Sequence, residues 1–421
     1  MSYSYVVTSQ KPTAVHRALV CRFTSPSAQN LILAKSNHLE IHVLAEDCLQ
    51  PICDTTLYGN QEGDSIAFVS SFSLYLHFIG KICNLEVLRL PKYAADCIFV
   101  VTEKKNFCVL SYDETSHQIL SVASGSLSDK IGMEMDGYPH SKADFDCSMV
   151  ALLLYEGLVK IVPIEQGVFR DAFNARVDET SILDMCFLAG QPRPTLCVLY
   201  EEGRPRSARH IKSYIVDLKE KELIAGSILH KNVEHGAKHL VPIPSPLNGF
   251  IVIGHATVVY FGSSSSSSSA AANIHAVAID PAVITSVCRI DADGQRFLLG
   301  DLHGNLSVLH LHRSNNAVCG LSCERLGVTS IASSLAYLDN GVCFIGSSFG
   351  DSQLIRLKSE ADEEGNYVQL LDTYTNIGPI LDMVVVESER EGQSRLVTCS
   401  GAYKDGSIRV VRSGIGLQEQ V

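Results

Sequence analysis

The sequence predicts an all-β fold of the β-propeller class. A short unit recurs along the chain, in which two runs rich in Val, Ile, Leu and Phe flank a polar turn. Successive units begin 47–53 residues apart, apart from a first interval of 67. Helical periodicity of any length is missing, which leaves an α/β fold with little support. A period of about fifty residues is typical of propeller blades with four short strands.

Each recurring unit is predicted to be a β-hairpin, because its β-prone runs surround Gly, Asp or Asn turn residues. The clearest copies read FLLGDLHGNLSVLHL from Phe297 and FIGSSFGDSQLIRL from Phe344. The eight hairpins begin at Leu31, Ile98, Met149, Cys197, Phe250, Phe297, Phe344 and Val397. A two-sheet sandwich would need fewer strands. The period predicts the unit but leaves open how many units close a ring.

Composition and charge restrict the class of protein. The 421 residues include 34 basic and 46 acidic side chains, and the net charge is −12. This charge argues against an autonomous nucleic-acid binder, which needs a basic face. Apolar residues make up 46% of the chain, so a large core is expected. The fourteen Cys never form C-x-x-C, and no run reaches the roughly 18 apolar residues of a membrane helix. We expect a soluble intracellular protein without a membrane partner.

Motifs that suggest catalysis or metal binding are better explained as turns. Gly346–Gly350 fits G-x-S-x-G around Ser348, but the motif lies between two predicted strands instead of a strand and a helix. His230, His235 and His239 have a spacing that could ligate a metal on a helix, yet the segment is predicted to be a loop. We therefore expect a binding protein, with no catalytic residue, no cofactor and no metal site.

Two polar segments are predicted to be exposed loops. Ser263–Ser269 is a run of serines and is expected to form a flexible hairpin tip. Gly203–Lys212 carries four basic side chains. It is expected to be an exposed loop, with a nuclear-import patch as the alternative.

Four sequence segments of the chain resemble those of a known family. They are MSYSYVVTSQKPTAV, TSIASSLAYLDNGVCFIGSSFGDSQL, YTNIGPILDM and LVTCSGAYKDGSIRVVRSGIG. The chain resembles the large triple-propeller subunits that include the adaptor of cullin-RING ubiquitin ligases and the large subunits of a splicing factor and of the cleavage and polyadenylation factor. The sequences of these four segments resemble the adaptor most, which acts in DNA damage recognition and nucleotide excision repair. The resemblance extends over nearly the whole chain.

The resemblance implies three segments. These are an N-terminal strand over residues 1–13, the first propeller over residues 14–376 and a connecting segment over residues 377–421. Seven hairpins, from Leu31 to about Leu357, would close a seven-bladed β-propeller. The eighth, from Val397, would be a C-terminal orphan β-hairpin of a propeller that this chain lacks. We expect this segment to be disordered or sticky when the chain is alone, and the cullin-docking propeller to be absent from this truncated form.

Residues 60–80 are predicted to be an insertion. The family joins the equivalents of Gly59 and Lys81 directly, and removing these 21 residues shortens the anomalous interval from 67 to 46. The run is rich in Phe and Ser and contains no Lys or Arg, so it is a candidate aggregation patch. We interpret it as a retained short intron that is read in frame, which sequencing of spliced transcripts would test.

The resemblance also implies ten receptor-binding residues, because substrate receptors of the family insert a helix and loops beside the first propeller. Tyr337 and Tyr403 are amphipathic aromatics of the kind enriched at interface hot spots. Leu338 and Ile380 could equally be core residues, and Asp339 with Asn340 could simply form a turn. The ten positions are Tyr337, Leu338, Asp339, Asn340, Phe349, Pro379, Ile380, Leu381, Ala402 and Tyr403.

The implied partners are substrate-receptor proteins of the WD-repeat type, with damaged DNA contacted only through a partner. The implied location is the nucleus and the cytoplasm. The alternative function is a nucleic-acid-binding propeller like the RNA-processing relatives, which a salt-dependent shift of labelled DNA or RNA would favour. A third hypothesis, a hydrolase built on Ser348, would require activity that is lost in Ser348→Ala.

Overall fold

The computed structural model describes residues 11–59, 66–68, 80–129, 132–135, 137–179, 181–203, 208–262, 273–314, 317–387 and 394–412. Within these ranges the protein is all-β, as predicted, and its strands form eight small antiparallel sheets. The one helical element described is a 3-10 turn at Tyr403–Asp405. None of the described residues form a helix that is long and apolar enough to cross a membrane.

The first four sheets follow one another along the chain. The first contains β1 (Arg17–Cys21), β2 (Asn30–Lys35), β3 (His38–Ala45), β4 (Cys48–Gly59) and β5 (Ile66–Phe68). The second contains β6 (Ile82–Leu88), β7 (Cys97–Thr102), β8 (Asn106–Asp113) and β9 (Gln118–Ser126). The third contains β10 (His140–Ala143), β11 (Met149–Tyr155), β12 (Leu158–Glu165), β13 (Val168–Phe169) and β14 (Phe173–Arg176). The fourth contains β15 (Ser181–Phe187), β16 (Thr195–Glu201), β17 (Arg209–Asp217) and β18 (Glu222–Val233).

The remaining four sheets continue the same order. The fifth contains β19 (His239–Pro242), β20 (Phe250–Ile253), β21 (Thr257–Phe261) and β22 (Ile274–Ala278). The sixth contains β23 (Ile284–Arg289), β24 (Arg296–Asp301), β25 (Asn305–Ser314) and β26 (Ala317–Val328). The seventh contains β27 (Ser334–Tyr337), β28 (Val342–Gly346), β29 (Ser352–Leu357) and β30 (Val368–Tyr374). The eighth contains β31 (Ile380–Glu387), β32 (Ser394–Ser400) and β33 (Ser407–Arg412).

The predicted hairpins are confirmed as pairs of adjacent strands. The hairpin from Phe297 is β24 with β25, and the hairpin from Phe344 is β28 with β29. The first strands of these hairpins, such as β7 and β11, are almost entirely apolar, and every residue of these two strands is buried. An unbroken apolar run is expected where both faces of a strand are covered, here by the two neighbouring sheets. The edge strand β18 instead alternates between exposed and half-buried residues.

The first seven sheets pack face to face, and the first also contacts the seventh. Seven clusters of buried apolar side chains fill the seams, each shared by two of these sheets. One cluster joins Val15 and Leu31, at the start of the chain, to Phe344 in the seventh sheet. At the same seam the Ser334 hydroxyl accepts a hydrogen bond from the Ala18 N–H at 2.8 Å. Contacts between residues more than 300 positions apart therefore join the first sheet to the seventh.

Glu234 contributes hydrogen bonds to the seam between the fourth and fifth sheets. Its carboxylate accepts hydrogen bonds from the backbone N–H groups of His255, Ala256 and Thr257 at 2.8, 2.8 and 3.0 Å, and from the Thr257 hydroxyl at 2.5 Å. Burial by itself would raise the pKa of Glu234. The hydrogen bonds outweigh burial and hold the pKa below its usual value. Glu234 therefore fastens the turn between β20 and β21 to the end of β18 as a carboxylate.

Replacing Glu234 with alanine is expected to lower the free energy of unfolding by about 1–2 kcal/mol, because the turn is partly exposed and water replaces some of the lost bonds. Since the pKa is lowered on folding, the carboxylate stabilises the fold above the pKa of an unfolded Glu, about 4.3, and loses this effect as the pH falls through the folded value. Denaturant titrations at neutral and acidic pH measure both. Glu234→Gln is the control, and an equal acid sensitivity in Glu234→Gln would contradict the assignment.

The C-terminal segment differs from the predicted hairpin. The hairpin from Val397 is present as β32 and β33, but a third strand, β31, precedes it and pairs with β32. Every residue of β31 is exposed, although the strand reads ILDMVVVE. The described residues of this segment form regular strands with an exposed apolar surface. Disorder or stickiness of the segment in the isolated chain stays a prediction.

Several predicted features lie wholly or partly outside the described residues. These are residues 1–10 of the N-terminal strand, Ser263–Ser269 and part of the basic segment Gly203–Lys212. Within the predicted insertion only residues 66–68 and Gly80 are described, and Ile66–Phe68 pairs with the end of β4. Of the N-terminal segment, Thr13 is described, and its hydroxyl donates to the Asn376 side chain at 2.9 Å.

Candidate functional site

Four of the ten predicted receptor-binding residues form the turn between β27 and β28. Asp339 and Asn340 are exposed at its tip, where Asn340 has a φ of 49°. Gly341 follows with a φ of 79°, which favours glycine. The Tyr337 hydroxyl accepts a hydrogen bond from the Gly341 N–H at 3.1 Å. Leu338 is only 4% exposed and belongs to the buried apolar cluster between the first and seventh sheets. It is therefore a core residue in this chain.

Three further residues meet where the eighth sheet contacts the seventh. The Phe349 carbonyl oxygen accepts a hydrogen bond from the Ala402 N–H at 3.0 Å. The rings of Phe349 and Tyr403 pack edge to face with centroids 5.5 Å apart. Tyr403 remains 67% exposed, so most of its ring is available to a partner. This arrangement is typical of an anchor residue, because an exposed aromatic ring is held in one orientation before any partner arrives.

The last three residues lie at the start of the eighth sheet. The Pro379 carbonyl accepts a hydrogen bond from the Gly401 N–H at 2.9 Å, which places Pro379 beside the Phe349–Tyr403 pair. Ile380 and Leu381 follow in β31 and are 47% and 75% exposed. The sequence left open whether Ile380 is a core residue or an interface residue. In this chain it lies on the surface.

The structure brings together six of the ten residues and separates the other four. Phe349 follows the C-terminal end of β28, whereas the turn of Asp339 and Asn340 precedes its N-terminal end. A five-residue strand is about 17 Å long. The two groups therefore lie at opposite ends of the seventh sheet, and a partner would have to extend along the sheet to touch both.

Polar contacts that sequence reasoning missed fix the eighth sheet to its neighbours. The Asp405 carboxylate accepts a hydrogen bond from the Ile331 N–H at 2.7 Å. The Lys404 ammonium group donates to the Thr329 carbonyl oxygen at 2.6 Å. Arg409 forms an ion pair with Asp351 at 2.7 Å. No local pattern marks these partners, because they lie about 60–75 positions apart in the chain.

The eighth sheet exposes an unusually apolar surface. Large exposed side chains occur on both faces of β31 and on β33, and single exposed residues of this kind would need no explanation. Contiguous apolar surface of this sort marks an interaction site or an uncovered core. The apolar residues of β31 and β33 that are at least 46% exposed are Ile380, Leu381, Met383, Val384, Val385, Val386, Ile408 and Val410.

The motifs that resembled catalytic or metal sites have structural roles. Ser348 lies in the loop between β28 and β29, where its hydroxyl is 2.5 Å from the Ser333 hydroxyl. His239 bonds through Nε2 to the Ile284 carbonyl, at 2.9 Å, and so joins the fifth and sixth sheets. In the part of the chain that the structure describes, no group of three or more His, Cys, Asp or Glu side chains is arranged to hold a metal ion.

Small antiparallel sheets that pack face to face in chain order, with buried apolar seams between neighbours, are typical of the β-propeller class of proteins. Residues 14–375 match the model of the RSE1/DDB1/CPSF1 first β-propeller family. The chain belongs to this family. The resemblance that the sequence suggested is thereby confirmed.

Curated relatives point to one branch of the family. The chain is 43% identical over 419 residues to DNA damage-binding protein 1b of Arabidopsis thaliana. It is 42% identical to DNA damage-binding protein 1 of Solanum lycopersicum and 43% identical to the protein of that name from Oryza sativa subsp. japonica. Each alignment covers 99% of this chain but 36% of the relative. The chain therefore spans about a third of the length of these relatives.

Proposed function

We propose that the first seven sheets are the blades of one seven-bladed propeller, over residues 14–376, and that the eighth sheet is a connecting element over residues 377–421. Support comes from the seven apolar seams and from the bonds between Ala18 and Ser334. The eighth sheet contributes to none of those seams. Its exposed apolar surface would be covered by a further propeller in the longer relatives.

On this basis the protein acts as a binding scaffold and not as an enzyme. It is the first-propeller part of an adaptor of cullin-RING ubiquitin ligases, and it binds substrate receptors of the WD-repeat type in DNA damage recognition and nucleotide excision repair. The observation that carries the proposal is the Phe349–Tyr403 pair, because it presents an oriented and exposed aromatic ring beside apolar β31. The proposed location is the nucleus and the cytoplasm.

Damaged DNA is proposed to be reached only through a partner subunit, since the chain carries a net charge of −12. The alternative is direct nucleic-acid binding. It is suggested by the names of the relatives and by the RNA-processing members of the family. Electrophoresis of labelled duplex DNA and of labelled RNA with this chain alone distinguishes the two. A shift that weakens as salt rises would favour the alternative.

Replacing Tyr403 with alanine is expected to weaken binding of a purified WD-repeat substrate receptor by about tenfold or more. Truncating an aromatic anchor at an interface typically costs about 2 kcal/mol or more. The fold should be unaffected, because the ring is mostly exposed. Titration calorimetry of the chain with the receptor measures the loss.

Tyr138→Ala is the matched control for that experiment. Tyr138 is also a half-exposed aromatic, at 51%, but it lies in the loop before β10 and far along the chain from the candidate site. Its removal should leave receptor binding unchanged. Equal losses in the two variants, or no binding by the unaltered chain, would contradict the proposed receptor surface.

A further inference from the structure

A cavity opens in the seam between the fourth and fifth sheets, away from the Phe349–Tyr403 pair and β31, which together form the candidate receptor surface. Its volume is about 280 Å³. One wall is the C-terminal end of β18, and the other is formed by β20 and β21. This size is at the lower end of ligand pockets and suits one bulky side chain better than a cofactor.

The floor of the cavity is apolar and continuous with the core. Ala237 is fully buried, and Val252 and Phe261 are 3% and 7% exposed. All three belong to the buried cluster that the fourth and fifth sheets share, and Val233 and Val259 pack against it. An apolar side chain that enters the cavity would therefore lose contact with water and gain contact with a packed surface.

The rim of the cavity carries two charged side chains, Lys231 and Glu234, and only the negative charge of Glu234 is compensated by hydrogen-bond donors of the neighbouring turn. Lys231 lines the cavity and is exposed. Glu234 also lines the cavity, but its two carboxylate oxygens are occupied by the four donors of the β20–β21 turn. The His230 ring lies 4.4 Å from the Phe261 ring, and burial lowers the pKa of His230, which keeps it neutral at neutral pH. The rim thus favours an anionic group beside an apolar one.

The backbone next to the cavity has an open edge. β18 is the last strand of its sheet, and among the described strands it pairs with β17 alone. It extends over twelve residues, Glu222–Val233, and its end supplies His230, Lys231 and Val233 to the cavity wall. An extended peptide can add a strand to such an edge, with main-chain bonds along the strand and a pocket for one side chain.

We propose that this cavity and the edge of β18 bind an extended segment of a partner protein. The segment places a bulky apolar side chain, such as that of phenylalanine, in the cavity and a carboxylate near Lys231, while its backbone pairs with β18. The site is separated from the candidate receptor surface by the whole sixth sheet. It goes beyond the proposed function, and its test does not use a receptor.

The probe is the blocked heptapeptide Ser-Thr-Phe-Thr-Glu-Thr-Ser, titrated into the full chain with ¹³C-labelled valine methyl groups. Saturable methyl shifts are expected at Val252 and Val259, and none at Val384 on the eighth sheet. Replacing the phenylalanine of the peptide with alanine should weaken binding by about tenfold or more, since burying such a side chain is worth about 1.5–3 kcal/mol. Amide hydrogen exchange of residues 222–233 should slow when the peptide is bound.

Charge reversal tests the anionic part of the proposal. Lys231→Glu is expected to weaken binding of the heptapeptide by about fivefold, because an exposed attraction becomes a repulsion. Lys219→Glu is the matched control, since it makes the same charge change in the turn at the other end of β18 and should leave the affinity unchanged. Both side chains are exposed, so both variants should fold.

Three results would overturn the proposal. Absence of shifts at Val252 and Val259 with millimolar peptide would remove the cavity as a site. Equal affinity in Lys231→Glu and Lys219→Glu would remove the anionic requirement. Unchanged hydrogen exchange in residues 222–233 would show that the peptide does not pair with β18. The cavity would then bind only a side chain and not an extended peptide segment.

Discussion

Replacing Phe344 with alanine is expected to lower the free energy of unfolding by about 3–5 kcal/mol, the usual cost of deleting a fully buried aromatic side chain. Phe344 is 1% exposed and fills the seam between the first and seventh sheets, together with Val15, Leu31 and Leu354. Its ring also lies 5.9 Å from that of Tyr374. The cavity that remains would lie where the start of the chain meets the seventh sheet. Denaturant unfolding measures the loss.

The position of the seam makes the Phe344→Ala experiment specific. Amides of β1 and of β27 should exchange faster together, because both strands border the same cavity although they are far apart in the sequence. Phe145→Ala is the control, since Phe145 is 46% exposed, and it should cost less than about 0.5 kcal/mol. If Phe344→Ala changed exchange in β27 but not in β1, the first and seventh sheets would not share a core.

Replacing Gly350 with alanine is expected to loosen the eighth sheet, at a cost of about 1–3 kcal/mol, the range for inserting atoms into a packed contact. A Cβ at this position would lie 2.5 Å from the Cβ of Asp405 and 2.9 Å from its Cγ. These atoms are next to the backbone, so the turn at Tyr403–Asp405 must move. The bond from the Ile331 N–H to Asp405 would then be lost. Amide hydrogen exchange of residues 394–412 should accelerate.

Gly320→Ala is the control for Gly350→Ala. A Cβ on Gly320 would find its nearest neighbour at 3.9 Å, on His312, which is ordinary contact. This variant should leave exchange in residues 394–412 unchanged. Unchanged exchange in Gly350→Ala as well would mean that the eighth sheet is not held against the seventh. Receptor binding would then need a surface other than the Phe349–Tyr403 pair.

The central strands could be predicted because their pattern is local. The strands β11 and β28 lack charged side chains, and every residue of both is buried. The edge strand β18 and the strand β31 were harder to predict. In β18 the exposed positions include apolar residues such as Ile224 and Leu229, which obscures the alternation of a half-buried strand. In β31 an apolar run that is typical of a buried strand is exposed in this chain.

The candidate site was predicted residue by residue from a resemblance, and the structure shows why the residues do not form one surface. Tyr337 and Phe349 are twelve positions apart, but β28 lies between them and places them at opposite ends of the sheet. Leu338 looked equally suited to the core or to an interface, and packing against Val15 buried it. Asp405, which holds the site in place, had no local signal because its partner is the backbone of Ile331.

By itself the sequence determined the all-β class, the hairpin unit, its period and the family, because apolar runs and turn residues act over a few positions of the chain. Only the tertiary structure decided which sheets share a seam, how Asp405 fastens Tyr403 beside Phe349, and where a cavity opens next to Lys231. These features depend on contacts between residues that are distant in sequence. Such contacts arise from the packing of whole sheets, which no local pattern specifies.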